Sequence, residues 1–329
     1  MILILSEKTD ITSTKVSEWL YHYSVPYLRI DESLAFDIIN FVSIQNNSSE
    51  ITFTYKEKQY SFNDFSIVWN RRGLFDFTVP SNNFIKEKTG IDNHSLRNNL
   101  IKEKLVLRNY IAHKLAQKFH IDDSRQYSAN KLIVLETARA VGLKIPETYI
   151  TNDFTNLNKI KTSLITKNIS EVLIDFSYNY LYKKQGTLKL DKELLSENQF
   201  FYSLFQNEIT KKYEIRTFVF FNKLFSMAIF SQNNEKTHVD FRNYDKEKGN
   251  RMVPYILPDN IEKKIIKLMS KLNLQSGSID LIFDGFDYVF LEVNPVGQLD
   301  FVSGNCNYQI EKYIANFLKN KYNELKKVN

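Results

Sequence analysis

The sequence predicts an α/β (α+β) protein built from more than one packing unit, and three observations carry that prediction. The chain has 329 residues, too many for a single small core. Nine glycines and six prolines fall well below their usual share, so regular helices and strands dominate. Segments that alternate with period two are interspersed with segments of helical spacing.

The same composition sets limits. Hydrophobic residues make up 43% and charged residues 25%, as in an ordinary soluble globular protein, so collagen-like and disordered classes are excluded. Apolar runs such as Phe218 to Phe221 are far shorter than the roughly 20 residues of a membrane helix. Met1 to Leu5 is apolar, but Glu7, Lys8 and Asp10 follow at once, which predicts a first buried strand rather than a signal segment. The single cysteine, Cys306, excludes an internal disulfide framework and a cysteine metal cluster. A cytoplasmic enzyme or binding protein is expected. The net charge of +6 is spread along the chain and reads first as a solvated lysine-rich surface. An anionic small ligand or an acidic peptide would suit it as well as nucleic acid.

Taken in order, the first unit opens strand, helix, strand: Met1 to Leu5, Thr14 to Tyr23, then Pro26 to Ile30. Ile51 to Tyr55, Tyr60 to Phe62 and Ser66 to Asn70 alternate and predict a small antiparallel set. Leu96, Leu100, Leu107, Ile111 and Leu115 predict one long helix over 95–120. The polar stretch from Asp122 to Ser128 marks a boundary. A helix from Asn130 stops at Gly142, with Pro146 just beyond. Strands Thr148 to Ile150 and Leu164 to Thr166 follow, with a short helix between them. The β-rich remainder holds two hairpins, one turning at Asn222-Lys223 and one spanning 278–293. An amphipathic helix, Ile261 to Leu272, lies between them, and Tyr308 to Leu318 closes the chain. The implied units are 1–122, 123–205 and 206–329.

The last hairpin carries the most chemistry. With a three-residue loop Gly285-Phe286-Asp287, Asp284 faces Tyr288 and Asp280 falls opposite Glu292. Glu292 and Asn294 share a face. Asp280 and Glu292 are boxed in by Ile279, Leu281, Leu291 and Val293. Two apposed carboxylates among apolar neighbours repel, and burying them unpaired is costly. A hard divalent cation resolves the conflict, and Mg2+ takes carboxylate, amide and phosphate oxygens. Asp284 and Asp287 read as turn carboxylates.

A magnesium site with two anionic ligands calls for a polyphosphate and for cations to hold it. Lys131 in the first turn of a helix and Lys167 at the end of a strand are candidates, although each also suits an ordinary surface lysine. Arg216 and Arg242 fit either bidentate contact with phosphate or carboxylate, or a structural ion pair such as Arg242 with Asp240. There is no G-x-x-x-x-G-K-[ST] and no G-x-G-x-x-G, so side chains between sheets must hold any nucleotide. The five histidines form no zinc motif, and no G-x-S-x-G elbow marks a serine nucleophile.

Read together from Lys131 to Asn294, these motifs resemble the ATP-grasp superfamily of carboxylate-amine ligases. The carrying segments are Lys131 to Thr148, Lys167, Gln206-Asn-Glu-Ile209, Glu214-Ile-Arg216, and Asp280, Glu292 and Asn294. Within that superfamily the chain is similar to graspetide (microviridin-type) maturases, in particular the grasp-with-spasm branch. Trp69 to Gly73, Asp240 to Tyr244 and Leu291 to Gln298 carry this likeness, with Phe241 where tryptophan and Asn70 where tyrosine are more usual.

The resemblance implies an ATP-grasp fold, with an N-terminal pre-ATP-grasp and peptide-docking domain, central and C-terminal subdomains, and a nucleotide between two sheets. It implies that Lys131 and Lys167 hold phosphates, that Gln206, Glu208 and Ile209 lie against adenine, and that Glu214 meets the ribose. Asp280, Glu292 and Asn294 would bind Mg2+. Arg216 and Arg242 would hold the acceptor carboxylate and the transferring phosphate, with Asp240 assisting the nucleophile. Arg71 and Arg72 would meet an acidic peptide.

The implied reaction uses ATP to phosphorylate Asp or Glu side chains of a ribosomal precursor peptide. Ser, Thr or Lys side chains then close ω-ester or ω-amide rings. The rival is an ATP-grasp ligase acting on a free amino acid or peptide end. The expected partner is a leader-bearing peptide, with neither nucleic acid nor membrane involved and with a homodimer compatible.

Overall fold

The computed structural model describes residues 1–31, 35–90, 94–126, 129–170, 176–177, 180–181, 187–190, 199–231 and 249–328. Contacts group the chain into two compact units, one of 1–127 with 309–329 and one of 128–308.

The first unit is organised around a parallel sheet. Ile2–Leu5 lies at its centre between Tyr27–Ile30 and Ile67–Asn70, and Phe119–Ile121 completes the order. All four residues of Ile2–Leu5 are buried, as expected for a strand covered on both faces. Helix Ile11–His22 is started by Asp10, whose carboxylate accepts from the Ser13 N–H at 3.2 Å. The C-terminal helix Ile310–Val328 packs against it. A three-stranded antiparallel sheet, Ile39–Ile44, Ser49–Tyr55 and Lys58–Ser61, supplies Ile51 and Phe53 to a core shared with Leu3, Leu5, Val68, Ile111 and Leu115.

Two sequence expectations change in this unit. The segment ending at Asn70 joins the parallel sheet rather than the antiparallel set. Its four buried residues satisfy both faces of a central strand, a pattern that alternation does not reveal. The long helix, His94–Ala116, ends earlier than predicted, because Phe119–Ile121 pairs with Ile67–Asn70. Leu96 and Leu107 are exposed on it, whereas Ile111 and Leu115 reach the core.

Among its described residues the second unit holds two larger antiparallel sheets and the short pair Phe176–Ser177 with Tyr180–Leu181. One has the order Thr148–Asp153, Gln199–Asn207, Leu164–Lys167, Leu188–Lys189. The other has the order Arg251–Tyr255, Lys223–Phe230, Tyr213–Phe220, Ser276–Phe283, Tyr288–Pro295. Helix Lys131–Ala140 is capped by Asn130 and buries Val134, Leu135 and Ala138. Helix Asp259–Lys271 buries Ile261, Ile265, Leu268 and Met269 at helical spacing. Both cover one face of the five-stranded sheet. Each fully buried aliphatic side chain there contributes about 1.5–3 kcal/mol. Among the described residues no helix is long and apolar enough to cross a membrane.

Candidate active site

Strand alternation gives the five-stranded sheet one apolar and one charged face. Ile215, Val219, Ile279, Leu281 and Val293 enter the core beneath the two helices. The alternate positions, Glu214, Arg216, Ser278, Asp280, Glu292 and Asn294, lie on the opposite face. Register sets Arg216, Asp280 and Glu292 side by side in one row across three strands.

The predicted apposition of Asp280 and Glu292 is present, but it arises by another route. Phe283 pairs with Tyr288, so the loop holds the four residues 284–287 rather than three. That register alone would put Asp280 opposite Leu291. A bulge shifts the pairing between Asp280 and Leu281 and brings Glu292 into place. The turn itself is fastened from outside. Asp284 accepts from the N–H groups of Phe286 at 2.8 Å and Asp287 at 2.7 Å, and Lys144 pairs with both Asp284 and Asp287. Backbone donation from Asp287 is the main cause holding the Asp284 carboxyl below its ordinary range. Burial opposes it, and Phe286 N–H and Lys144 reinforce it.

Arg216 Nε lies 3.6 Å from Asp280 Oδ1, and the two residues are 7% and 4% exposed. The guanidinium lies 5.9 Å from the centre of the Phe301 ring, on helix Leu299–Cys306. The Asn294 amide nitrogen donates to Glu292 Oε1 at 3.4 Å. Just beyond, Val296 and Gly297 both take left-handed backbone, at φ +64° and +60°. A Cβ at Gly297 would come within 2.5 Å of Ser278 Oγ, so only glycine fits there. A β-branched residue at positive φ is rare, and here it turns the chain away directly after Pro295, at the end of the strand that carries Asn294.

One cavity gathers most of the predicted nucleotide residues. Lys167, Gln206, Glu208, Ile209, Glu214, Arg216 and Asp280 line it, with Ile165, Ile229, Ile282 and Leu291 as apolar wall. A smaller neighbouring cavity is lined by Lys131, Lys167 and Glu292. Lys131 donates to the carbonyls of Asn168 at 2.9 Å and Ser170 at 3.1 Å. Gln206 is buried and donates to Thr148 Oγ1 at 2.9 Å. The Glu208 carboxylate is held by Ser163 at 2.7 Å and Lys189 at 2.9 Å. Glu214 is ion-paired with Lys211, and both are buried. Lys211 also lines the main cavity. Sequence reasoning missed it, although its place three residues before Glu214 at a strand start was a usable signal.

The two arginines predicted for peptide contact lie in the first unit and differ from each other. Arg71 is 2% exposed and holds Asp10 at 3.2 Å, so it presents no surface to a peptide. Arg72 pairs with Glu7 at 3.2 Å, and both side chains are partly exposed. Asp240 and Arg242 lie outside the described residues.

Two carboxylates and an amide on adjacent strands form a hard oxygen donor set that fits Mg2+. Among the described residues no three His, Cys, Asp or Glu side chains cluster as a self-sufficient metal site. An ion here would therefore complete its shell with Asn294, water and phosphate oxygens.

No protein-family model matches the chain, and no curated protein sequence matches it. Solved structures do match. A RiPP-associated ATP-grasp ligase from Chryseobacterium gregarium, in complex with ADP and a leader and core peptide, is 23% identical, with a TM-score of 0.77 over 97% of this chain and 96% of that one. The macrocyclase MdnC from Microcystis aeruginosa, bound with the precursor peptide MdnA, is 25% identical, with a TM-score of 0.71 over 97% of this chain and 99% of that one. D-alanine–D-alanine ligase from Bacillus anthracis is 12% identical, with a TM-score of 0.51. The chain has the ATP-grasp fold.

Proposed function

We propose that this chain is an ADP-forming ATP-grasp ligase that closes ω-ester or ω-amide rings in a ribosomally made precursor peptide. The observation that carries this reading is the cavity between two sheets. It joins an apolar wall, Lys167 and Glu214 to the Arg216–Asp280–Glu292 row. The likeness to the MdnC macrocyclase over 97% of the chain favours a peptide over a free amino acid as acceptor.

A side-chain carboxylate is a poor electrophile. Transfer of the γ-phosphoryl group of ATP makes it an acyl phosphate, and a hydroxyl or amine of the same peptide then displaces phosphate. Catalysis of phosphoryl transfer is largely positioning and electrostatics. In this reading Ile165, Ile229 and Ile282 enclose the base beside Gln206 and Ile209, and Glu214 meets the ribose. Lys131 and Lys167 supply point charges for phosphate. Arg216 holds the acceptor carboxylate in line. Asp280, Glu292 and Asn294 would hold Mg2+, which neutralises phosphate charge when bound. Arg242 and Asp240 complete the set in the reading from sequence. Arg72, the exposed member of its pair, meets the acidic peptide from the N-terminal domain. Use of ATP and a ribosomal peptide fits a cytoplasmic setting.

The test is mass spectrometry of candidate precursor peptides incubated with the protein, ATP and Mg2+. Loss of one water per ring, with stoichiometric ADP, is the expected result. ADP formation driven only by free amino acids would overturn the peptide assignment.

A further inference from the structure

The charged row sets a fixed cation beside the two carboxylates assigned above to a divalent ion. We infer that Arg216 is the resident counter-ion of Asp280 in the metal-free protein and yields that carboxylate when the metal binds, so that metal loading readies the guanidinium for the acidic side chain of the peptide. This inference rests on the metal reading of the preceding subsection.

Three observations support it. Asp280 is 4% exposed, and a buried carboxylate opposite Glu292 needs a cation in every state of the protein. Arg216 meets that need before any metal arrives. Second, the closest approach of the two groups is Nε to Oδ1 at 3.6 Å, longer than the distances of a short two-point fork. A contact of that kind is the weaker form of an arginine–carboxylate pair and is readily exchanged. Third, both side chains line the main cavity, and the Phe301 ring lies against the guanidinium. When Asp280 is taken by the metal, the arginine is left facing the cavity, supported by the ring.

The charge count gives the same direction. The row sets two carboxylates against one guanidinium. A divalent ion would add two positive charges to it and so shift the row toward attracting the carboxylate and phosphate of the acceptor. The two cations compete for one carboxylate, and binding linkage makes removal of either strengthen the other.

The experiment measures Mn2+ affinity at saturating ADP by electron paramagnetic resonance. Arg216→Gln is expected to bind Mn2+ about tenfold more tightly than the natural protein, the usual size of a coupling between neighbouring sites. Arg216→Lys keeps the charge on a shorter, more mobile arm and is expected to fall between the two. It serves as the folded comparison if the Gln variant melts below assay temperature. Unchanged or weaker Mn2+ binding in a folded Arg216 variant overturns the counter-ion role while leaving the metal site intact. Mn2+ binding that is equal in the natural protein and in Glu292→Gln overturns the metal reading itself, and this inference with it.

Discussion

Among the described residues each compact unit contains one buried Arg–Asp pair, and their surroundings differ. In the first unit Arg71 meets Asp10 at 3.2 Å, and the residues are 2% and 7% exposed. Asp10 also caps helix Ile11–His22 through the Ser13 N–H, and Arg71 also donates to Thr12 at 3.2 Å. In the second unit Arg216 meets Asp280 at 3.6 Å with similar burial, but Asp280 faces Glu292 and lines a cavity. The first pair is closed by hydrogen bonds that fasten a helix start to a sheet. The second is crowded by a further negative charge and open to small ligands. A buried ion pair therefore says little about its role until the groups facing it are known.

Stability separates the two most sharply. Arg71→Met strands a buried carboxylate and is expected to cost about 3–5 kcal/mol, seen as a large fall in thermal midpoint that Mg2+ does not repair. Arg216→Met strands one too, but water and cations reach Asp280 from the cavity. A smaller fall, largely recovered by millimolar Mg2+, is expected. Equal losses with no metal response in either variant would erase the contrast.

The partner carboxylates sharpen it. Asp10→Asn keeps a capping side chain but removes the charge that holds Arg71, and should destabilise by about 3–5 kcal/mol in urea unfolding. Asp280→Asn relieves repulsion with Glu292 and should leave the free energy of urea unfolding within about 1 kcal/mol, while ATP turnover falls at least about 100-fold. The reverse pattern would mean that the roles were assigned the wrong way round.

Arg72 gives a subtler outcome. Its pair with Glu7 is partly exposed and contributes about 0–1 kcal/mol to stability. Arg72→Ala is expected to raise the KM for peptide several-fold with ADP affinity unchanged. Weakened ADP binding instead would place Arg72 beside the nucleotide.

The smallest expected effect belongs to the clamp on the last hairpin. The folded Asp284 carboxyl is depressed, so its stabilisation is present above the ordinary carboxylate range and is lost as pH falls through the folded value. Hydrogen bonds donated to Asp287, then to Asp284, raise the Lys144 ammonium, so its share is present below the ordinary lysine range and is lost at higher pH. Lys144 is about half exposed and solvent screens the pair, so Asp284→Asn should cost under about 1 kcal/mol. That loss should shrink in denaturation measured near pH 3. A loss of the same size at pH 3 and pH 7 would remove the electrostatic account of the clamp.

Much of this was legible in the sequence where one principle acts alone. Period-two alternation revealed the hairpins, and Asn130 and Gly142 bracketed helix Lys131–Ala140. What escaped depended on distant parts of the chain. The segment Ile67–Asn70 reads like a third antiparallel strand but is chosen by Ile2–Leu5 and Phe119–Ile121. The Asp280–Glu292 apposition was reached through a loop one residue too short, and an unforeseen bulge at Leu291 compensated. Arg71 and Arg72 look alike as neighbours. Only the position of Asp10 at the start of helix Ile11–His22 separates the buried member from the exposed one. Lys211 was hidden among abundant lysines until its burial against Glu214 distinguished it.

In the proposed ligase the second carboxylate of the charged row, Glu292, takes part in the chemistry. The most direct measurement is ADP release by Glu292→Gln in the presence of precursor peptide, with peptide affinity measured on the same sample. The expected result is ADP formation lowered at least about 1,000-fold, with peptide affinity retained. ADP release at the rate of the natural protein would contradict it.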